Sequence, residues 1–186
     1  ADERKGVRQL VDAYIRRLNR ESAERFRVED MYEPESSFYK KGLEYVAGID
    51  EVGRGPLAGP VTVAAVILKP HFFIAGLNDS KKVAPRRREE IAKKIHETAV
   101  DISIVSLSPK EIDMRNIYAA TMEAMYRAVR NLKIQPQAVI VDAMPLHFPV
   151  PSLSLVHGDA KSASVAAASI VAKVHRDHLM DEYDKV

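Results

Sequence analysis

Residues 45–68 read YVAGIDEVGRGPLAGPVTVAAVIL. Two apolar, β-branched runs, 45–50 and 61–68, flank a stretch of ten residues that holds three glycines and two prolines. Apolar runs bounded by Gly and Pro read as strands, and so short a connection predicts an antiparallel pair. The first run closes on two adjacent acids, Asp50 and Glu51, and a Gly-Arg-Gly turn follows at once. Charged side chains are rarely buried without a partner, so acids at this place call for a chemical reason.

Beyond this pair, strands alternate with helices. Pro85 at a first helical position opens a helix to about residue 98. Residues 100–107 form the next strand. Ser108-Pro109-Lys110-Glu111 carries a Ser cap, Pro at the first position and Glu at the third, which predicts a helix running to about residue 132. Strands at 138–141, ending on Asp142, and at 153–156 follow. An Ala-rich helix spans 163 to about 183. This order predicts an α/β fold, with a mixed β-sheet because its first pair is antiparallel.

Residues 1 to about 30 read as a helix whose apolar face is Val7, Leu10, Val11, Tyr14, Ile15 and Leu18. Arg16, Arg17, Arg20, Arg25 and Arg27 surround it. Interspersed acids favour a docking helix with a solvated outer face over a basic arm on nucleic acid. Residues 31–42, with Pro34 and Gly42, read as a link. The expected organisation is a helical extension and linker over 1–42 and a catalytic domain over 43–186.

The chain has 186 residues, no cysteine, 28 basic and 26 acidic residues, and a formal charge of +2. Thiolate metal sites, thiol nucleophiles and disulfide frameworks are excluded. No apolar run approaches the roughly 20 residues of a membrane helix, and no signal peptide is read, so the cytoplasm is the expected compartment. A nearly balanced charge confines any nucleic-acid site to a local patch.

Asp50 and Glu51 end one strand, Asp142 ends another, and Asp159 sits in a loop before a helix. Sites in open α/β sheets gather at strand ends. Carboxylates converging there offer hard oxygen ligands for Mg²⁺ or Mn²⁺, and a pair of such ions suits in-line displacement at phosphorus. Neighbours on a strand point to opposite faces, so Asp50 and Glu51 share a site only if the strand ends there. Each acid taken alone is equally a cap or a solvated loop residue. Together they predict a metal-dependent phosphoryl-transfer enzyme.

Gly53-Arg54-Gly55 is no nucleotide phosphate loop, since the Gly-Lys-Ser/Thr ending is missing. Its glycines allow close backbone approach and its Arg suits a phosphate, unless it is a simple surface turn. Ser80, Lys81 and Lys82 stand where a helix begins and suit a second phosphate contact. Arg86, Arg87 and Arg88 read as a solvated run, and Asp177 as the ion-pair partner of Lys173. Ala166-Ala167-Ala168-Ser169 reads as a close-packing helix face. His147, His157, His175 and His178 share no metal spacing and read as structural or surface groups. No Gly-x-Ser-x-Gly elbow is present.

The stretches AGIDEVGRGPLAGPV, GLNDSKK, IDMRNIYAAT, VDAMP and HGDAKSASVAAASIVAKVHRD, in this order over residues 45–181, closely resemble the type 2 ribonucleases H, specifically bacterial ribonuclease HII. The resemblance implies a ribonuclease H-like fold, with a mixed sheet flanked by helices. It implies cleavage of the RNA strand of RNA–DNA hybrids, and cleavage at single ribonucleotides in duplex DNA, leaving 5′-phosphate and 3′-hydroxyl ends. It also implies two divalent ions held by Asp50, Glu51, Asp142 and Asp159, and a monomer is expected. Asp159, not Asp177, matches the family's Gly-Asp before the Ala-rich helix. Gly53-Arg54-Gly55 resembles the family's junction sensor, which contacts the 2′-hydroxyl and the next phosphate. That hydroxyl distinguishes RNA from DNA. Ala143 stands where the family usually has Gly, and His157 where it often has Lys. Family members continue into a Lys-Gly-Tyr segment whose tyrosine packs on a deoxyribose. The sequence stops at Val186, so a fragment of weak activity is expected. The N-terminal stretch does not resemble the folded substrate-binding domain of the HIII enzymes. Two alternatives stand beside this one: a metal-dependent DNA nuclease or resolvase on the same fold, and a non-catalytic hybrid-binding module.

Overall fold

Strand β2 (Val61–Ile67) is buried along its whole length, and its alternate residues feed two separate cores. In the computed structural model, which describes residues 5–185, Ala64 and Val66 pack with one layer of helices. Val63, Ala65 and Ile67 pack with the other. A period of two on a strand covered on both sides produces this division.

The other strands are β1 (Val46–Val52), β3 (Asp101–Leu107), β4 (Ala138–Asp142) and β5 (Ser152–Leu155). They form one sheet in the order β3-β2-β1-β4-β5. The β1–β2 and β2–β3 pairs are antiparallel, whereas β1–β4 and β4–β5 are parallel. The mixed α/β sheet is therefore as the sequence predicts. Helix α3 (Pro85–Thr98) and the long α7 (Ala163–Tyr183) cover one face. The other face carries α5 (Ile117–Arg130), through Ala120, Ala124, Met125 and Ala128.

Helix α7 approaches β1 closely at Gly48. A methyl group on Gly48 would lie 2.1 Å from the Ser164 carbonyl carbon and 2.3 Å from the Val165 nitrogen. Ala166, Ala167 and Ala168 are fully buried in the same contact layer. The small residues on both sides are what let the helix backbone sit against the strand.

Four sequence expectations are corrected. Residues 31–42 are not a link: they contain helix α2 (Glu33–Tyr39), with Pro34 in its first turn and Met31, Tyr32, Glu35 and Phe38 buried. Proline's fixed φ suits a helix start, and the aromatic anchors supply burial that a linker lacks. Helix α1 (Lys5–Asp30) forms, but its expected docking face stands in solvent, Leu10 at 74 % and Leu18 at 43 % exposure. Only its last turns dock, through Val28 and the following Met31. Residues 1–4 of the expected helix lie outside the described residues. The helix starting at Ser108 has the expected capping box but is two helices, α4 (Pro109–Arg115) and α5. They are divided at Asn116, whose φ is 67° and whose side chain accepts from Ala119 N at 3.0 Å. Asparagine tolerates positive φ and competes for backbone donors, so the apolar period continues across a real break. Finally, β1 does not end on Asp50 but runs through Val52.

Gly48→Ala would drive a methyl group into backbone, where no rotamer change gives relief. We expect it to cost about 3 kcal/mol of folding stability, the upper part of the overpacking range, or to prevent folding. Urea denaturation of the variant beside the parent checks this.

Candidate active site

Parallel pairing sets Ile49 of β1 opposite Val141 of β4, which brings the next residues, Asp50 and Asp142, side by side on neighbouring strands. Asp159 comes from the one-turn helix α6 (Gly158–Lys161). One carboxylate oxygen from each of Asp50, Asp142 and Asp159 lies within 4.8 Å of the others. The turn is pinned to the sheet by Gly158 N, which donates to Asp142 Oδ1 at 2.7 Å.

Burial and like charge both act on Asp50 and Asp159. Burial is the main cause raising the Asp50 carboxyl well above its ordinary range, and the charges of Glu51 and Asp142 add to it. The Ser169 hydroxyl and the Glu51 amide oppose this, the amide donating to Asp50 Oδ1 at 2.7 Å. Asp159 is raised by burial first, then by the charges of Asp79 and Asp142, while Lys81 lowers it. A group of buried carboxylates lacking cations is electrostatically costly. An all-oxygen donor set of this charge fits a hard divalent cation.

Glu51 stands beside this group and not within it. Neighbours on a continuing strand alternate in direction, yet Glu51 stays close enough for its charge to act on Asp50. Its Oε1 accepts from Arg54 Nη1 at 3.0 Å, and its Oε2 is buried with no hydrogen-bond partner. Burial raises its pKa, Arg54 lowers it, and the Asp142 charge raises it, which places the carboxylate in the field of the group. The orphaned oxygen is a free ligand atom at the margin of the site.

The turn after β1 is built around close contacts. Gly53 has φ 101°, and a methyl group there would lie 2.4 Å from the Pro60 carbonyl oxygen. Only glycine meets both demands. Gly55 is exposed with nothing near it, which leaves its backbone open to a ligand. Arg54 leans on Glu51 and on the Met144 sulfur, at 3.7 Å, with its side chain 39 % exposed.

Ser80, Lys81 and Lys82 form a 3₁₀ turn capped by Asp79, which accepts from Lys81 N at 2.9 Å. Ser80 is buried and accepts from Ser169 Oγ at 2.9 Å, so only Lys81 and Lys82 face solvent. Arg88 overturns the reading of residues 86–88 as a solvated run. It is buried and donates to the Ser80 and Val83 carbonyls at 3.1 Å and to Asp177 at 3.2 Å. Arg86 and Arg87 pair with Glu90. Asp177 binds Lys173 as expected and stands apart from the three grouped acids. His178 meets Glu89 at 2.8 Å, and His157 precedes α6 with φ 59°. Ala143, where glycine would be unstrained, takes φ 46°.

Three residues of the site escape sequence reading. Asp79 caps the lysine turn and meets Asp159, and an acid directly before Ser-Lys-Lys is the available signal. Ser169 bonds both Ser80 and Asp50. Arg176 is buried and donates to the carbonyls of Pro60 and Ala58, each at 2.9 Å, which fixes the end of the Gly-Arg-Gly turn. Ser169 and Arg176 are seven apart on α7, hence on one face, a spacing that could have linked them.

Comparison with known proteins identifies the family and the fold. The family model for ribonuclease HII matches residues 47–186, and that for the ribonuclease HII N-terminal domain matches residues 1–39. Ribonuclease HII of Ligilactobacillus salivarius is 51 % identical over 185 residues, covering 100 % of this chain and 72 % of its own. That of Bacillus cereus strain Q1 is 49 % identical over 181 residues, covering 97 % and 70 %. The crystal structure of the ribonuclease H2 from Pyrococcus horikoshii superimposes with a TM-score of 0.69 at 30 % identity, over 75 % of each chain. With its mixed sheet, its buried carboxylates and a match over most of its length, the chain belongs to the ribonuclease HII family of metal-dependent endoribonucleases.

Proposed function

We propose that this chain hydrolyses the RNA strand of RNA–DNA hybrids and cuts at single ribonucleotides embedded in duplex DNA, leaving 5′-phosphate and 3′-hydroxyl ends. The observation that carries the reading is the convergence of Asp50, Asp142 and Asp159 within 4.8 Å, beside the turn that presents Arg54. Asp50, Glu51, Asp142 and Asp159 hold two divalent ions, Mg²⁺ or Mn²⁺. The orphaned Oε2 of Glu51 supports including that residue. Bound ions supply charge neutralisation at the phosphate and a hydroxide-like nucleophile near neutral pH.

The chain's own groups do the positioning. Arg54 offers a guanidinium for the phosphate beside the cut, and Glu51 holds it in place until substrate arrives. Gly53 and Gly55 let backbone amides and carbonyls approach a 2′-hydroxyl, the atom that marks RNA. The catalytic unit is residues 43–186, residues 1–42 are an accessory extension, and the enzyme acts as a cytoplasmic monomer. The deciding experiment incubates a duplex carrying one ribonucleotide, and an all-DNA control, with Mn²⁺ or Mg²⁺ and maps the cut. Cleavage of the all-DNA duplex would point instead to a DNA nuclease. Binding without any cleavage would point to a hybrid-binding module.

Asp142→Asn removes a ligand whose contribution through the ions is several kcal/mol. Cleavage of that duplex should fall roughly 10³-fold, at 1.4 kcal/mol per decade, with folding retained. Asp177→Asn, which pairs with Lys173 and Arg88, should retain the parent rate. Arg54→Ala should raise KM and weaken the preference for a ribonucleotide without abolishing it, because the turn's backbone still contacts the sugar. Substrate titration with both duplexes reads this out.

The Asp50 carboxyl is raised on folding, so the folded chain holds that proton more tightly than the unfolded one. Stability from this source is complete below the ordinary aspartate pKa, about 4, and is lost as pH rises through the raised value. The metal-free Tm should therefore decline with rising pH. Asp50→Asn should flatten that decline and remove the stabilisation given by Mn²⁺, both visible in thermal melts across pH with and without the ion.

A further inference from the structure

Glu35 of α2 is 0 % exposed, yet only one of its carboxylate oxygens is partnered. Oε1 accepts from Ser162 Oγ at 2.6 Å, Ser164 Oγ at 2.6 Å and Ser164 N at 2.9 Å. Oε2 meets no donor. Burying a carboxylate with a bare oxygen is expensive, and a well-packed apolar side chain would fill the space at lower cost. The three donors all belong to the corner where α6 passes into α7. Ser162 caps α7, accepting from Val165 N at 3.3 Å, and the helix N-terminus favours a negative charge at this place.

That corner fixes Asp159. A four-residue helix cannot maintain its own position, because it has a single turn of hydrogen bonds. Its ends decide where it lies. One end is tied by Gly158 N to Asp142 Oδ1 at 2.7 Å. The other passes through Ser162 N, which donates to the Gly158 carbonyl at 2.8 Å, and Ala163 N, which donates to the Met31 carbonyl at 2.9 Å. Ser164, also gripped by Glu35, has its backbone against Gly48, two residues before Asp50.

We propose that Glu35, from the N-terminal segment, is a positioning residue that clamps the Ser162–Ser164 corner and so sets Asp159 at metal-binding distance from Asp50 and Asp142. This rests on the assignment of Asp159 as a metal ligand. Glu35 touches neither ion nor substrate. It makes α2 part of the machinery that holds the site, although α2 lies outside the catalytic motifs.

The test is calorimetric titration of Mn²⁺ into the substrate-free protein, with urea unfolding of the same samples. Glu35→Ala should weaken Mn²⁺ binding by about 10–100-fold, the usual effect of losing a group that orients a ligand. Glu35→Gln keeps the acceptor oxygen and should stay within roughly threefold of the parent, well short of that loss. Tyr32→Phe removes a bond to the Phe72 carbonyl in the same segment, and should lower stability while leaving Mn²⁺ affinity unchanged. If Glu35→Ala does not fold, Ser164→Ala takes its place and should give a smaller loss, about threefold or more. Parent-like Mn²⁺ affinity in Glu35→Ala, or in Ser164→Ala where that substitutes, would reduce Glu35 to a structural staple. So would a Glu35→Gln loss as large as that of alanine. Asp159→Asn runs alongside. If it binds Mn²⁺ like the parent, the ligand assignment fails and the proposal with it. If it weakens while Glu35→Ala does not, only the role of Glu35 fails.

Discussion

The packing of α7 against β1 at Gly48 is the contact on which the site depends. With no side chain at Gly48 and three alanines on the helix, the two backbones meet almost directly. One helix then reaches several parts of the site. Ser164 lies at the Glu35 corner, Ser169 bonds Asp50 and Ser80, and Arg176 grips the carbonyls of Ala58 and Pro60. A side chain at residue 48 would lift this register as a unit. Asp50, the lysine turn and the Gly-Arg-Gly turn would shift with it, because each is tied to α7 through Ser169 or Arg176.

The second constraint is electrostatic, and it opposes the first. Close packing buries Asp50 and Asp159 among like charges, and burial raises both. The local cations lie at the edges: Arg54 on Glu51, and Lys81 near Asp159. Arg88, the buried cation nearest the lysine turn, is committed to Asp177 and two carbonyls. Arg176 is likewise spent on carbonyls. The protein leaves the centre of the carboxylate group without a cation of its own, which is the condition a divalent ion relieves. Neutralising side chains placed there would stabilise the chain and fill the site.

Much of this was legible in the residues. The strand-turn-strand at 45–68, the capping box at Ser108 and the Ala-rich α7 all follow from local chemistry that tertiary contacts do not override. The convergence of Asp50, Asp142 and Asp159 follows from their places at or near strand ends. What escaped depends on long-range partners. The exposure of the α1 face is invisible to periodicity, which shows that a face is apolar but not whether anything lies against it. Arg88 read as a surface cation because its carboxylate partner, Asp177, lies 89 residues away, and Arg176 escaped because its acceptors, the Pro60 and Ala58 carbonyls, lie 116 and 118 residues away. Glu35 read as part of a linker because its partners, Ser162 and Ser164, lie more than 120 residues away.

The strained positions around the acids follow the same logic. Ala143 directly follows Asp142 with φ 46°, and His157 precedes Gly158 with φ 59°. Left-handed backbone costs an ordinary residue roughly 1–2 kcal/mol, and here two such residues bracket the contact between Gly158 N and Asp142 Oδ1. Relaxing either would swing β4's end or the α6 turn away from the other, so the strain is held by the geometry that brings two carboxylates together. Ala143 stands where the resemblance leads one to expect glycine, and it keeps the conformation glycine would take without strain. The backbone at this point is therefore set by the neighbouring acids, with the residue type adjusting to it, as is expected where a site requires a conformation that its sequence would not choose alone.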